Sequence, residues 1–171
     1  MREWTLAELR RQVTSWLVPG GGGHRCRVCR RPVQLYKRKL HQGMAIALVE
    51  FYKWDRYHHR EFMDYRRKLH RGASRDHGFL RYWSLVERNP EEKGFYRITE
   101  RGRRAIENAG EEDERVPWAI WEYNKEFYGF VEDEQTGEVI MTTIREALGD
   151  AFDLDELLAS LPGRGGMNGR P

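Results

Sequence analysis

The chain has 171 residues, of which 39% are hydrophobic and 12% aromatic, and its net charge is +3. This is enough for one packed domain with at most a small appendage, and no segment approaches the run of about 20 apolar residues that spans a membrane. The N-terminus also lacks the hydrophobic block of a secretory signal, so we expect a globular cytoplasmic protein without a membrane partner.

An amphipathic helix is predicted at the start of the chain. Thr5 and Glu8 have the three-residue spacing of a capping box, and apolar residues recur on one face from Leu6 to Leu17. Pro19 and the four glycines after it end this helix at a hinge. We expect the apolar face either to pack within the chain's own fold or to cross to a partner chain, which would make a homodimer.

The two cysteines of the chain, Cys26 and Cys29, follow the hinge with the spacing of a zinc knuckle. In a reducing cytoplasm such a close pair indicates thiols or metal ligands rather than a disulfide. A structural zinc needs four protein ligands, and His24 is the nearest further candidate. Two alternatives remain: one structural zinc held by Cys26, Cys29 and His24 or a more distant histidine, or two metal-free thiols that cap a turn.

Two helices are expected next. From Leu35 to about Trp54 apolar residues recur at steps of three and four, which predicts a long scaffold helix with a basic first turn. A shorter apolar stripe predicts a second helix from Arg60 to His70. The histidines and carboxylates of residues 58–70 scatter around this helix without a nucleophile or a phosphate-binding loop, so we expect no catalytic residues and no enzyme activity.

A short helix, a strand, a charged turn, a second strand and another helix are predicted between Ser74 and Ile106. Ser74 caps the first helix, residues 89–94 are too polar to continue a strand, and Thr99 caps the last helix. Together with the two helices before it, this order is that of a winged helix-turn-helix over residues 35–110. The alternative is an αββα portion of another small α+β core.

A DNA-binding domain of this kind contacts bases with one set of residues and phosphates with another. An arginine at a base edge makes a bidentate contact to guanine that contributes about 1–3 kcal/mol of discrimination. The base-edge candidates lie on the helix that begins at Ser74, and they are Arg75, His77 and Arg81. The phosphate candidates lie on helix ends, on an exposed face and on the wing, and they are Lys37, Arg38, Lys39, Arg66, Arg67, Lys68, Lys93 and Arg97.

The C-terminal third of the chain becomes acidic and then rich in aromatic and β-branched residues. Turn residues at 124–125 and 135–137 predict a small antiparallel meander. Thr143 and Asp153 each begin a short helix, and the second helix stops at Pro162.

The predicted fold class is therefore α+β: a winged helix-turn-helix core, an N-terminal helix with a CxxC knuckle, and a small acidic C-terminal αβ appendage. The N-terminal module, the winged-helix domain, the appendage and a disordered tail are expected at residues 1–34, 35–110, 111–162 and 163–171.

Charge is distributed unevenly along the chain. Residues 24–83 contain 16 Lys and Arg against 5 Asp and Glu, whereas residues 105–161 contain 3 against 16. A polyanion such as DNA is attracted to the first segment, because each neutralised phosphate releases condensed counterions, and is repelled by the second. The alternative is a pair of ordinary solvated faces.

Several segments resemble an uncharacterised family of small proteins encoded by bacteriophages. They are CRVCRRPVQLYKRKLHQGMAIAL, LRYWSLVE, GFYRITERG, VPWAIWEYNKEFYGF and TTIREALGDAFDLDELL, which cover nearly the whole chain. More loosely, LRYWSLVE and GFYRITERG are similar to the end of the recognition helix and the wing of bacterial winged-helix regulators. This second similarity implies a winged-helix fold and a DNA ligand, whereas the phage family brings no established activity or binding residues. The winged-helix regulators seldom have an N-terminal CxxC and have no such acidic block.

We therefore expect a non-enzymatic protein, encoded by a phage and located in the bacterial host cytoplasm, that binds double-stranded DNA and regulates transcription or another DNA transaction. The alternative is a non-catalytic interaction protein whose acidic C-terminal module binds a host protein, with the winged helix as scaffold. Several phosphate contacts predict a steep loss of DNA affinity with salt, which distinguishes the two.

Overall fold

The structure is a computed structural model. It describes residues 8, 12–13, 15–19, 21, 23–26, 29–58, 61–64 and 72–160. Most of the predicted N-terminal helix, part of the predicted second helix and the predicted disordered tail lie outside these residues.

The chain forms short strands and helices. In chain order they are β1 (His24–Arg25), β2 (Pro32–Val33), β3 (Tyr36–Lys39), α1 (Gln42–His58), β4 (Met63–Asp64), a 3₁₀ helix (Arg75–Trp83), β5 (Val86–Arg88), β6 (Phe95–Ile98), α2 (Glu100–Glu107), a short 3₁₀ turn (Glu112–Glu114), β7 (Val116–Pro117), β8 (Ala119–Tyr123), β9 (Glu126–Phe130), β10 (Met141–Thr142), α3 (Ile144–Leu148) and α4 (Leu154–Ala159). The fold is mixed α+β with small antiparallel sheets, as the sequence predicted. None of the described helices is long and apolar enough to cross a membrane.

The chain divides into two compact units, neither of which is one continuous segment. The first unit contains Met1–Lys39 and Ala119–Ile140, and the second contains Leu40–Trp118 and Met141–Pro171. The predicted acidic appendage is therefore not a separate body, because residues 119–140 belong to the first unit and residues 141–160 to the second.

The first unit is built on antiparallel strands. β1 pairs with β2, and a second sheet has the order β3-β8-β9, with β3 at one edge. Asn124 and Lys125 both have left-handed backbone angles (φ 51° and 64°), which is the geometry that joins two strands through a two-residue turn. The turn that the sequence predicted at 124–125 is confirmed.

The second unit is organised around α1. Its buried residues run from Met44 to Phe51 and include Lys53, and the helix packs against the 3₁₀ helix, β6, α2, α3 and α4. Lys53 Nζ donates to Glu50 Oε1 (2.8 Å) and to Ser160 Oγ (2.9 Å), so the buried ammonium is both paired and hydrogen-bonded. The stretch 44–49 of α1 is apolar throughout and buried, which is expected of a helix segment at the centre of a core.

A three-stranded sheet and a two-stranded sheet complete the second unit. The first has the order β4-β6-β5, and the second pairs β7 with β10. The 3₁₀ helix lies between β4 and β5 in the chain.

The predicted helix caps at Ser74, Thr99 and Thr143 are confirmed, whereas the capping box predicted at Thr5 lies outside the described residues. The Ser74 side chain accepts from the Asp76 N–H at the start of the 3₁₀ helix, and the Thr99 side chain accepts from the Gly102 N–H at the start of α2. Thr143 and Glu146 form both hydrogen bonds of a capping box at α3. Local side-chain chemistry fixes these helix starts, which is why short spacing rules found them.

The prediction of one helix from Leu35 to Trp54 is wrong at its beginning. Residues 36–39 form β3, which is paired with β8, and α1 begins only at Gln42. In the predicted second helix, Met63 and Asp64 instead form β4, which pairs with β6, and the segment 65–70 lies outside the described residues. Both strands depend on partners far along the chain, which local periodicity cannot detect.

Candidate nucleic-acid interface

The 3₁₀ helix is anchored on α1 at its first residues. The Ser74 N–H donates to the Gly43 carbonyl (2.8 Å), and a Cβ at position 43 would lie only 2.9 Å from Ser74 Cβ. The glycine therefore lets the start of the 3₁₀ helix approach the backbone of α1 closely. At the other end, Ser84 adopts a left-handed conformation (φ 58°) and closes the helix before β5.

The inner face of the 3₁₀ helix is fixed by two buried residues. Leu80 and Trp83 have no solvent exposure, and the Trp83 indole N–H donates to the Pro117 carbonyl. A buried tryptophan with its polar group satisfied holds the helix in one orientation. Arg75, at the first position of the same helix, is exposed.

The three base-edge candidates do not share one environment. Arg75 is exposed, whereas Arg81 is half-buried with its guanidinium 4.7 Å from the centre of the Tyr82 ring. His77 is half-buried in the packing between α1 and the sheet, with its ring 6.2 Å from that of Phe51 and 5.0 Å from that of Tyr96. Burial lowers the pKa of His77 to about 4, so the ring is neutral at pH 7. We therefore assign His77 to packing and retain Arg75 and Arg81 as base-edge candidates.

The two basic residues of the β5–β6 hairpin that were predicted to contact DNA have different surroundings. Lys93 is exposed in the turn. Arg97 is paired with Glu87 across the hairpin, and its guanidinium lies 4.6 Å from the centre of the Phe62 ring. Sequence reasoning missed Arg88, which is exposed at the end of β5. Arg88 could have been recognised in the sequence from its position directly before the charged turn.

The phosphate candidates of β3 belong to the first unit. Lys37 Nζ lies 5.3 Å from the centre of the Trp121 ring, Arg38 pairs with Glu122 at 3.0 Å, and Lys39 is exposed. They are thus part of a different compact unit from Arg75 and Arg81. The remaining phosphate candidates, Arg66, Arg67 and Lys68, lie outside the described residues.

The cysteine pair lies between β1 and β2. Neither cysteine is in a disulfide; Cys29 is exposed and Cys26 is half-buried. The Cys26 N–H donates to the Arg31 carbonyl, which closes the turn, and the His24 ring stacks on Trp16 at 5.0 Å. Within the described part of the chain, no group of three or more His, Cys, Asp or Glu side chains comes together to hold a metal ion. The described residues therefore do not complete a zinc site with Cys26 and Cys29.

A cleft of about 350 Å³ lies in the second unit beside α2, α3 and α4. Polar groups on its lining contact one another: Tyr52 Oη donates to Glu107 at 3.1 Å, and Arg145 lies 3.7 Å from Asp155. These contacts do not form the nucleophile and base arrangement of an active site.

No protein-family model, curated protein or solved structure matches the chain.

Proposed function

We propose that the protein binds double-stranded DNA through its second unit and thereby regulates transcription or another DNA transaction in a phage-infected bacterium. In this proposal the 3₁₀ helix lies in the major groove and the β5–β6 hairpin acts as the wing. The observation that carries it is the connectivity of α1, β4, the 3₁₀ helix, β5 and β6 with the strand order β4-β6-β5. This order supports the proposal, because a winged helix presents a helix and the hairpin after it to one duplex. The supporting helix of the motif was predicted at residues 60–70, of which Met63 and Asp64 form β4 and 65–70 lie outside the described residues.

The charge of the sequence around the 3₁₀ helix supports an anionic ligand. Residues 60–81 contain seven Lys and Arg against three Asp and Glu. Because binding of cationic side chains to phosphates releases counterions, this excess favours a duplex at low salt. The hairpin adds Lys93 at its turn, although Glu91 and Glu92 lie beside it and limit the charge that the wing contributes.

Arg75 and Arg81 are the residues that we expect to contact the duplex from the 3₁₀ helix. The Arg81 guanidinium is held over the Tyr82 ring and donates to Tyr82 Oη at 2.7 Å. A guanidinium that is already oriented loses less conformational entropy when it binds. Arg75 is exposed at the helix start, where its guanidinium is available to a base edge or a phosphate.

A salt titration with a fluorescein-labelled random-sequence duplex tests the proposal, with anisotropy as the readout. We expect the logarithm of the affinity to fall linearly with the logarithm of salt concentration. Arg75→Ala and Arg81→Ala should each weaken binding to this duplex and reduce the salt slope by about one, as expected for the loss of one phosphate contact. Arg145→Ala is the control, because it removes the same charge from a half-exposed arginine on α3. Absence of duplex binding at low salt refutes the proposal, as does equal weakening by all three variants.

The second candidate function is binding to a basic surface of a host protein. It is favoured by an exposed acidic loop after β9, in which Glu132, Asp133, Glu134 and Glu138 are all exposed. Asp133 orders this loop, because its Oδ1 accepts from the N–H groups of Gln135 (2.9 Å) and Thr136 (3.0 Å). If the titration shows no duplex binding, this acidic loop becomes the leading interaction site.

A further inference from the structure

We propose that the first unit binds single-stranded nucleic acid across one face of its β3-β8-β9 sheet. We call this surface the aromatic face and define it by Lys37, Lys39, Trp121, Tyr123 and Tyr128. The proposal concerns a different unit and a different ligand from the duplex site, so each can fail without the other.

The strand register places these side chains on one side of the sheet. Lys37 is directly opposite Trp121. Because β3 and β8 are antiparallel, Lys39 and Tyr123 extend this side in opposite directions from that pair, with Lys39 opposite Ala119. Tyr123 is opposite Glu126 on β9, and Tyr128 Oη lies 3.4 Å from Glu126 Oε2. A register shift beside Trp121 inserts Tyr128 as an extra residue in β9.

The aromatic rings of this face are neither fully buried nor isolated. Trp121, Tyr123 and Tyr128 are each half-buried, while Lys37 and Lys39 are exposed. A half-buried ring is held in place at one edge and still offers π surface to a ligand. Successive bases of a single strand stack on such rings, and each stacked base contributes about 1–3 kcal/mol whatever its identity.

Lys37 connects the cationic and aromatic parts of the face. Its ammonium lies 5.3 Å from the centre of the Trp121 ring. Because the ammonium lies over the indole, a phosphate that draws Lys37 away from the ring leaves the indole face to a neighbouring base. Duplex DNA does not satisfy this arrangement, because its bases are already paired and stacked within the helix.

The distribution of charge indicates where the phosphates and the bases of a bound strand lie on the sheet. Residues 24–39 contain seven Lys and Arg and no Asp or Glu, and they end in the edge strand β3. Glu126 and the acidic loop at residues 132–138 lie on or after β9, at the other edge. We therefore place the phosphates along β3 and the bases over β8 and β9.

The opposite side of the same sheet also carries exposed aromatic residues, Tyr36 and Phe127, but its cation is engaged in an ion pair. Arg38 is paired there with Glu122 at 3.0 Å, and Ile120 is fully buried. Phe127 is opposite Glu122, and its ring lies 5.1 Å from that of Phe130 in an edge-on contact. Phe127 is 41% exposed, so it provides an aromatic control on the same sheet.

The test is anisotropy of the full-length protein with labelled oligothymidine and oligouridine of about 12 nucleotides, within the range of site sizes known for such surfaces. We expect salt-dependent binding of both oligomers. Lys37→Ala should weaken it about tenfold, and Trp121→Leu should weaken it by roughly 5- to 150-fold, which corresponds to the loss of one stacked base. Thermal melts should show that Lys37→Ala remains folded, so the proposal stays testable even if Trp121→Leu does not fold.

Three control variants distinguish the aromatic face from the rest of the protein surface. Phe127→Ala tests the opposite side of the sheet, Lys125→Ala removes the same charge from the β8–β9 turn, and Arg75→Ala tests the duplex site. All three should bind oligothymidine like the wild type, and Lys37→Ala should bind duplex like the wild type. Failure to bind either oligomer at low salt overturns the proposal, as does equal weakening by Lys125→Ala. Competition by polyglutamate as strong as that by oligothymidine also overturns it, because the face would then recognise only negative charge.

Discussion

His77 illustrates at the residue scale how packing changes the chemistry of a side chain. Its ring contacts the Phe51 and Tyr96 rings, and burial lowers its pKa to about 4 from an ordinary value near 6.5. The folded protein therefore keeps the neutral ring, and the unfolded chain binds a proton more readily. The stabilisation from neutral His77 is fully present above about pH 6.5 and is lost as the pH falls towards 4.

His77→Phe tests this linkage, because phenylalanine keeps an aromatic ring at the site and cannot take up a proton. Between pH 6.5 and pH 4 we expect the Tm of the wild type to fall more steeply than that of the variant, as measured by circular dichroism. Parallel curves for the wild type and His77→Phe would show that His77 makes no contribution to acid sensitivity.

At the scale of elements, α2 shows that helix propensity and packing can oppose each other. Gly102 lies within this helix, where alanine is ordinarily more stable by about 0.5–1 kcal/mol. A Cβ at position 102, however, would overlap the Leu85 carbonyl oxygen and lie 2.7 Å from Ile98 Cγ1. The glycine is required because α2 approaches the backbone of the preceding hairpin too closely for a side chain.

Gly102→Ala is therefore expected to lower the free energy of unfolding by about 1–3 kcal/mol, the usual cost of overpacking, in urea titrations. The matched control is Gly110→Ala, whose Cβ would have its nearest neighbour, Arg145 Nε, at 4.0 Å. That change should stay within about 0.5 kcal/mol of the wild type. A more stable Gly102→Ala protein would contradict the packing of α2 against residue 85.

Secondary-structure elements also differ in how far their own residues determine whether they form a helix or a strand. The starts of the 3₁₀ helix, α2 and α3 follow from Ser74, Thr99 and Thr143, whose side chains bond to backbone groups two or three residues away. β3 is a strand because it pairs with β8, about 80 residues later in the chain. Its lysines consequently belong to a sheet and not to the basic first turn of a helix.

In the whole molecule, charged residues that form one block in the sequence belong to two different units. The acidic C-terminal block is divided, since residues 119–140 complete the first unit and residues 141–160 complete the second. Some of its carboxylates have internal roles: Glu122 pairs with Arg38, and Glu146 closes the capping box of α3. The block is therefore only partly available as one acidic surface for a partner.

The assignment of the two proposed sites to separate units has a measurable consequence for a double variant. Arg75→Ala and Lys37→Ala should act independently, because they alter different sites in different units. In the combined protein we expect duplex affinity to equal that of Arg75→Ala and oligothymidine affinity to equal that of Lys37→Ala, both measured by anisotropy. A further loss of either affinity in the double variant would show that the two ligands share one surface.

Sequence patterns alone predicted the α+β class, the helix caps at Ser74, Thr99 and Thr143, the 124–125 turn and the hairpin between Val86 and Ile98. These features depend on hydrogen bonds and side-chain patterns within a few residues, which a linear sequence displays directly. Long-range contacts explain instead why His77 packs against aromatic rings, why residues 36–39 form a strand and why Lys37 lies over Trp121. Each of these depends on a partner distant in the chain, and burial and register are properties of the assembled fold.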